Sequence, residues 1–425
     1  MLRFNPRAFV LAVVVGAVGV LTSCVPRATD GVTLRGSFWS TPAIEQEIAR
    51  KFEATHPGVK LDLMFTGGRY AEKLQSMLVA ANEPDLMMVT TAFYYDWAAR
   101  GVLADLTDLV GELDAEGAFY PGPRDAFRYQ GKYFAVPALF DGMVSIANLD
   151  ALAAAGLSLP DESFTWAQLE AWGPKLSRLR GDGGALTDYA CALPPPQYFI
   201  TAYGVRCFDD PAYPQRVTVE SPLAVEAIEY WRRMHAQGWA VARGTVLDQG
   251  ESEMFRDGRT AFMFWGRAVT TILLQAPALN WDVAPVPAGP DGRVVPYFAT
   301  AVGISRRSKH PELAREYLRF YVSETANESF VSGHRGLPLR RTAAGERLLA
   351  SMTRPASVHR YMETLEPGVG QSLAQVPGTM ELEAIIQRRF EQALAAPDVP
   401  AAEIVAGLAA DLRAWLQKNQ ERGLL

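Results

Sequence analysis

The sequence predicts an α/β protein made of two doubly wound lobes, and three observations support this prediction. The chain has 425 residues, of which 49% are hydrophobic and 21% are charged, a globular balance with enough apolar residues for two cores. After residue 31, strand-length apolar segments alternate with amphipathic segments of helical length. Some of the strand segments are apolar throughout, which is typical of a parallel sheet covered by helices on both faces.

The first lobe is predicted to begin with a repeated strand–helix pattern. VTLRGSFW alternates apolar and polar side chains, as a strand does. STPAIEQEIARKFEATHPG has Thr41 as a cap, Pro42 in the first turn and a Pro57-Gly58 stop, which together predict a helix. VKLDLMF is then a second strand, RYAEKLQSMLVAAN a second helix and PDLMMV a short third strand.

A second unit of the same kind is predicted to begin near Met143. ESPLAVEAIEYWRRMHAQGW indicates a helix capped by Ser221. ESEMFRDGRTAFMFWG indicates a helix and a turn, followed by a strand from Thr260 to Trp265. SRRSKHPELAREYLRFYVSE predicts a further amphipathic helix, and the C-terminal third is predicted to be mostly helical.

The N-terminus has the layout of an export signal. Arg3 and Arg7 precede an uncharged apolar run, AFVLAVVVGAVGVL, which small residues separate from Cys24. The run is shorter than the ~20 residues that span a bilayer comfortably, so residues 1–23 are predicted to be a signal peptide. LTSC resembles the bacterial lipobox, which predicts a lipid on Cys24 and a tether over residues 24–31. The alternative is a plain signal peptide with an incidental cysteine.

Charge, cysteines and missing motifs narrow the function classes. A net charge of −6 without a basic run argues against nucleic acid and anionic membrane surfaces as partners. The sequence contains no G-x-S-x-G, H-E-x-x-H or Walker A motif and no G-x-G-x-x-G after a strand, so no catalytic residue and no cofactor is predicted. Cys191 and Cys207 are predicted to form a disulfide, with two buried thiols as the alternative; no metal site is expected.

Aromatic residues cluster where predicted strands end and in the loops just beyond. They are Phe38, Trp39, Phe93, Tyr94, Tyr95, Trp97, Phe140, Phe264, Trp265, Tyr297 and Phe298. In open α/β sheets, ligands bind outside the carboxyl ends of the strands. Exposed aromatic faces at that position suit flat, partly apolar ligands such as pyranose rings. The cluster therefore predicts a ligand cleft.

Several longer stretches resemble one protein family. They are KFEATHPGVKLDL, YAEKLQSMLVAANEPDLMMV, GVLADLTDLV, GKYFAVPALFDGMVSIANLDALAAAG, FTWAQLEAW, MFRDGRTAFMFWG, WDVAPVPAGPDG and ISRRSKHPELAREYLRFYVSE. In this order and spacing they resemble the carbohydrate-binding branch, family 1, of bacterial ABC-transporter extracellular solute-binding proteins. The resemblance covers most of residues 32–340.

The resemblance implies a periplasmic-binding-protein-like fold of type II, in which two lobes joined by a hinge close on a sugar. It implies that the chain crosses between lobes near 137–143 and 285–297. The implied lobes are residues 32–138 with 294–345 and residues 139–293 with 346–425. The implied partners are a carbohydrate, permease subunits and a cytoplasmic ATPase. The chain would be a monomer, exported and held by its lipid at the periplasmic or extracellular face of the cell membrane.

The resemblance also implies a set of ligand contacts. They are Trp39, Ser40, Thr91, Phe93, Tyr94, Asp141, Trp265, Gly266, Arg267, Tyr297 and Phe298. Asp141 would accept hydrogen bonds from hydroxyls and Arg267 would donate them. The side chains expected to stack on sugar faces are Trp39, Phe93, Tyr94, Trp265 and Tyr297. Arg69 and Arg335 are further candidates, and the chain departs from many relatives at Ala299 and Thr300, where those have a glycine pair.

Two other classes of function remain open from the sequence. The first is a surface-anchored carbohydrate-active enzyme, either a glycosidase or a lyase, since carboxylates are plentiful. The second is a sugar-binding sensor or adhesion module. Within the binding proteins, a glycerol phosphate-type or other small solute is a further alternative, because Arg69, Arg267 and Arg335 could bind a phosphate.

Overall fold

Two larger β-sheets organise the part of the chain that the computed structural model describes, residues 31–39, 42–67, 70–177, 188–365 and 370–425. The strands are β1 Val32–Phe38, β2 Val59–Phe65, β3 Leu86–Thr90, β4 Arg128–Tyr129, β5 Lys132–Tyr133, β6 Val136–Gly142, β7 Val144–Asn148, β8 Tyr189–Ala192, β9 Thr260–Trp265, β10 Trp281–Ala284, β11 Val295–Ile304, β12 Leu337–Pro338 and β13 Gly370–Gln371. The predicted signal peptide and Cys24 lie outside the described residues.

Helices cover these sheets and fill the C-terminal part of the chain. They are α1 Pro42–Thr55, α2 Tyr70–Val79, α3 Thr91–Ala99, α4 Thr107–Leu113, α5 Pro121–Asp125, α6 Leu149–Ala154, α7 Trp166–Leu176, α8 Pro196–Ala202, α9 Pro222–Ala236, α10 Arg243–Gln249, α11 Glu251–Arg256, α12 Thr270–Leu273, α13 Pro311–Tyr321, α14 Glu324–Ser332, α15 Ala343–Ser351, α16 His359–Glu363, α17 Thr379–Ala395 and α18 Ala401–Glu421. Short 3₁₀ helices span Ala115–Gly117 and Arg267–Val269.

Local chemistry explains several of these boundaries. The Ser221 hydroxyl accepts a hydrogen bond from the Ala224 N–H and so caps α9, while Pro222 fits its first turn. Gly258, with φ of +70°, lets the chain turn from α11 into β9. Both devices are the ones the sequence predicts, and the predicted strand from Thr260 to Trp265 is confirmed.

The first sheet has the strand order β12-β6-β11-β3-β1-β2, with β13 paired to β11. β1 pairs in parallel with β2 and with β3, whereas β11 is antiparallel to both β3 and β6. In the second sheet, β10-β7-β9-β8, β8 and β9 are parallel while β7 is antiparallel to its neighbours. The predicted α/β class with two lobes is confirmed, but each sheet is mixed rather than wholly parallel.

Two of the antiparallel strands, β7 and β11, each follow a link between the two sheets. β6 belongs to the first sheet and β7 to the second, and Met143 alone separates them; the chain returns between β10 and β11. These strands enter a sheet from the other unit and not from a crossover helix, so the parallel direction of a βαβ unit is not imposed on them. The boundaries of the two lobes as moving bodies remain a prediction.

Each sheet has its own hydrophobic core. The first core surrounds β1, β3, β6 and β11 and includes apolar residues of α3, α13 and α14. The second lies between the second sheet and the helices α8, α9, α17 and α18. One face of β7 and β9 also packs into the first core, through Val144, Ile146 and Met263. Among the described helices, none is both long and apolar enough to cross a membrane.

The predicted disulfide between Cys191 and Cys207 is wrong. Both thiols are free and buried. Cys191 lies in β8, where its backbone is hydrogen-bonded to Trp239 and Val241, while Cys207 lies beyond α8 and its carbonyl accepts the Thr218 N–H. Each cysteine is therefore fixed by its own set of partners within the second core, and burial raises the pKa of Cys207 to about 12.

Candidate ligand-binding site

One edge of the first sheet collects four of the predicted ligand contacts. β1, β3 and β6 run in the same direction and β11 runs against them. Trp39 and Thr91 follow the ends of β1 and β3, Asp141 is near the end of β6, and Phe298 is near the start of β11. These four residues therefore lie along one edge, on strands spaced about 4.8 Å apart. We refer to this edge, with the residues of the second unit that meet it, as the candidate site.

Trp39 provides a half-buried aromatic ring at the β1 end of the candidate site. Its ring contacts Tyr70 edge-on at 5.1 Å between centroids and Phe93 at 6.4 Å. The Tyr70 hydroxyl lies within 2.8 Å of the Ser37 carbonyl oxygen and 2.7 Å of the Met88 carbonyl oxygen. These contacts hold the supporting rings in place, so Trp39 is the member of this group that keeps an accessible surface.

A second aromatic group joins the two sheets. Trp265, at the end of β9, stacks on Phe298 of β11 with centroids 4.8 Å apart and planes 28° apart. Tyr198 of α8 packs edge-on against Phe298 at 4.6 Å. All three rings are half-buried. Sequence reasoning missed Tyr198; the available signal was an aromatic residue two positions after the three prolines that precede and begin α8.

Asp141 occupies a tight position between the two units. Its carboxylate accepts the backbone N–H groups of Arg267 and Ala268, at the start of the 3₁₀ helix that follows β9. A Cβ at Gly266 would lie 2.3 Å from the Asp141 Cβ, and a Cβ at Gly336 would lie 2.7 Å from Oδ2, so both glycines are needed here. Desolvation raises the pKa of Asp141 to about 6, opposed by the positive charges of two arginines.

Those arginines are Arg335 and Arg267, and both are buried. The Arg267 guanidinium donates to the carbonyl oxygens of Val331, at 2.8 Å, and of Arg335. Desolvation lowers the pKa of Arg267 to about 10, so it remains a cation at neutral pH. Arg267 was predicted to donate to sugar hydroxyls; in this structure it joins the second unit to the end of α14.

Among the described residues, six of the thirteen buried side-chain polar atoms that have no hydrogen-bond partner lie at this edge. They are Ser37 Oγ, Thr66 Oγ1, Asp141 Oδ1, Thr300 Oγ1, His334 Nδ1 and Arg335 Nε. Buried polar groups in native proteins are nearly always hydrogen-bonded, so a cluster of unpaired ones indicates a position for a polar ligand or for water. Thr300, where the sequence departs from many relatives, contributes one of these hydroxyls beside its strand partner Thr90.

The structure separates other predicted contacts from the candidate site. Tyr94 is fully buried, and its hydroxyl donates to the Phe127 carbonyl and accepts the Phe134 N–H, so it belongs to the core. Phe93 is 8% exposed and serves mainly to support Trp39. Tyr297 lies on the opposite face of β11 from Phe298. Ser40 and Arg69 lie outside the described residues.

Metal chemistry is not indicated by the described residues. Over those ranges, no group of three or more histidine, cysteine, aspartate or glutamate side chains is placed to hold a metal ion. The candidate site instead combines accessible aromatic faces with hydroxyl, amide and charged groups. Such an arrangement can stack on a ring and hydrogen-bond its substituents.

Comparison with known proteins gives the family. Residues 37–328 match the family of bacterial extracellular solute-binding proteins, and the chain belongs to it. The relatives include an uncharacterised lipoprotein of Streptomyces antibioticus, 26% identical over 325 residues, which cover 71% of this chain and 70% of that protein. The family is one of binding proteins.

Solved structures share the fold. An ABC substrate-binding protein from Listeria monocytogenes in complex with cycloalternan has a TM-score of 0.81 at 22% identity, over 93% of this chain and 100% of that one. The GacH receptor of Streptomyces glaucescens, whose structures include a complex with acarbose, has a TM-score of 0.78 at 22% identity, over 91% and 98% of the two chains. The two-lobed binding-protein fold implied by the sequence is thereby confirmed.

Proposed function

We propose that this chain captures a di- or oligosaccharide at the candidate site and delivers it to the permease of an ABC importer. The observation that carries the proposal is the pairing of accessible aromatic rings with buried, unpaired polar atoms along the edge where the two sheets meet. Sugars present flat, weakly apolar faces and a rim of hydroxyls, so they match both parts of this surface. The oligosaccharide ligands of the two structural neighbours support the same class.

The proposed roles follow from the geometry. Trp39 and Trp265 stack on sugar rings, with Phe93 and Phe298 behind them. Asp141, whose Oδ1 is unpaired, accepts from a sugar hydroxyl, and the Thr300 hydroxyl adds a neutral contact. Micromolar affinity corresponds to about −8 kcal/mol, which two stacked rings and a few hydrogen bonds to a charged group can supply.

The proposed setting is the outer face of the cell membrane. A lipid on Cys24 would keep the protein near its permease and the cytoplasmic ATPase, and the lipoprotein relative supports this anchor. The chain is proposed to act as a monomer. Capture needs no catalysis, since ligand release to the permease is driven by the ATPase.

A thermal-shift screen of the purified protein tests the ligand class. The panel holds mono- and oligosaccharides, sugar phosphates and glycerol phosphodiesters. A ligand present at ~100 times its dissociation constant stabilises the protein by about 2.7 kcal/mol, a visible rise in melting temperature. A shift with one neutral saccharide class is the expected result. A rise in melting temperature with phosphodiesters alone would replace the saccharide by a glycerol phosphate-type substrate. Release of reducing ends from an oligosaccharide, measured in a separate turnover assay, would support the alternative of a carbohydrate-active enzyme.

Substitution of Trp265 tests the position of the site. Trp265→Ala removes the ring that stacks on Phe298, and we expect it to weaken binding of the saccharide found in the screen by about tenfold or more. Trp172→Ala is the matched control, because Trp172 is also half-buried and stacked, but on Phe164 of the second core. Equal affinities for the two variants in isothermal titration calorimetry would place the ligand elsewhere.

A further inference from the structure

A cavity of about 400 Å³ lies behind the β6–β11 pair, away from the candidate site. Asp141 and Phe298 are cross-strand partners and share one face of this pair. Phe140 and Tyr297, one residue earlier on each strand, therefore point to the other face, because side chains alternate along a strand. Their rings lie 5.1 Å apart and both line the cavity.

The cavity walls come from several separate parts of the chain. Phe140 belongs to the first sheet, Thr201 and Phe208 belong to α8 and the loop after it, and Gln371 and Gln375 belong to the segment that leads into α17. Residues far apart in sequence are thus brought together around one volume. A volume of about 400 Å³ is within the usual range of small-molecule sites.

The wall formed by Tyr297 is held by specific contacts. The Gln375 side-chain amide donates to the Tyr297 hydroxyl oxygen at 3.0 Å, and the Gln375 backbone N–H donates to the Pro211 carbonyl at 2.7 Å. A Cβ at Gly370 would lie 2.9 Å from the Tyr297 ring, so glycine is required for the close packing of β13 against β11. The aromatic wall and its polar neighbours are therefore fixed in position before any ligand arrives.

The chemistry of the lining favours a neutral ligand. Two of the lining residues are charged. Arg206 is exposed, and the Asp209 carboxylate accepts the backbone N–H groups of Gln215 and Arg216. The remaining polar groups are hydroxyls and primary amides, which pair with hydroxyl groups without a charge.

We propose that this cavity is a second binding site, distinct from the candidate site, which takes a neutral polyhydroxylated ring compound of one or two sugar units. Tyr297 forms part of the apolar wall beside Phe140, and Gln371 and Gln375 supply amide hydrogen bonds. This second site does not depend on the function proposed for the candidate site. It assigns Tyr297, expected from the sequence to stack on a sugar, to a different ligand position.

Alkylation of Cys207 reports on this cavity directly. Cys207 lines the cavity and is 3% exposed, whereas Cys191 does not line it and serves as an internal comparator. The purified protein is treated with iodoacetamide alone, with D-glucose, with maltose or with inorganic phosphate, each at about 10 mM. A sugar that binds in the cavity with a dissociation constant of about 1 mM slows alkylation of Cys207 about tenfold relative to alkylation of Cys191. We expect this with at least one of the two sugars and not with phosphate.

Three variants locate the effect. Gly122→Trp adds a ring at a lining position where a Cβ meets nothing within 4 Å, so we expect added sugar to give Cys207 no further protection. Gly111→Trp, at an equally open glycine of α4 outside the cavity, should behave as the unmodified protein. Trp265→Ala should retain the protection.

Four outcomes would overturn the proposal. They are absence of protection by both sugars, equal slowing of Cys191 and Cys207, loss of protection in Trp265→Ala, and protection by phosphate. Equal slowing of the alkylation of the two cysteines would report stabilisation of the protein by sugar bound at the candidate site alone. This result therefore separates the second site from the function proposed for the candidate site.

Discussion

The pKa of Glu45 is strongly changed by the surroundings of this residue. It is fully buried at the start of α1, and both of its carboxylate oxygens lie 3.0 Å from the Tyr321 hydroxyl. Desolvation raises the pKa of Glu45 from 4.5 to about 7, although the charge of Arg335 and the Tyr321 hydrogen bond oppose the rise. A buried acid of this kind makes the stability of the folded protein depend on pH.

The sign of that dependence follows from proton linkage. Between about pH 4.5 and pH 7 the folded state keeps a proton on Glu45 that the unfolded state releases, so stability falls as pH rises through this window. The contribution of Glu45 is about 3 kcal/mol at most. Glu45→Gln keeps an acceptor for Tyr321 but cannot ionise, so we expect the loss of stability between pH 5 and pH 8 to be smaller in this variant.

Urea denaturation at the two pH values measures the effect. Glu328→Gln, at an exposed position of α14, is the control and should follow the unmodified protein. If Glu45→Gln loses as much stability as Glu328→Gln over this range, then Glu45 is not the titrating group.

At the scale of elements, side-chain caps set the N-terminal boundaries of several helices. The Ser221 hydroxyl accepts the Ala224 N–H, and Thr165, Ser323 and Thr342 make the same kind of bond at α7, α14 and α15. Asp141 serves the 3₁₀ helix after β9 in a comparable way, but from the other sheet. The first kind of cap is local and therefore visible in the sequence. The second depends on tertiary structure.

Removal of a local cap should have a modest cost. We expect Ser221→Ala to lower the free energy of unfolding by about 1 kcal/mol, because one N–H of the first turn of α9 loses its acceptor. Ser221→Asp keeps an acceptor and should lose much less. Chemical denaturation compares them, and similar stabilities for the alanine and aspartate variants would mean that the cap contributes little here.

At the scale of the whole molecule, the proposed lipid determines where the protein is found. Cys24→Ala removes the attachment point, and a single remaining apolar signal does not give stable anchoring, so we expect the protein to leave the membrane fraction. Cys207→Ala is the control, since that thiol is buried in the folded body. Detergent-free fractionation and immunoblotting measure the distribution. Retention of Cys24→Ala in the membrane fraction would show that the lipobox prediction is wrong.

The position of the candidate site was predictable, but its composition was less so. Trp39, Asp141, Trp265 and Phe298 were expected at the strand ends, and the structure places them along one edge. The sequence could not distinguish Phe298 from its neighbour Tyr297, which points into the cavity behind. Strand register decides which of these two side chains faces the candidate site. A shift of one residue in the pairing moves every side chain of a strand to the opposite face of the sheet.

The sequence by itself determined the α/β class, the strands β1, β2, β3 and β9, and the cap of α9, because periodicity and capping act between residues a few positions apart. Tertiary structure decided the antiparallel direction of β7 and β11, the separation of Cys191 from Cys207, and the burial of Tyr94 and Arg267. Each of these depends on contacts between segments far apart in the chain. Such contacts form only when the chain folds, and no local pattern encodes them.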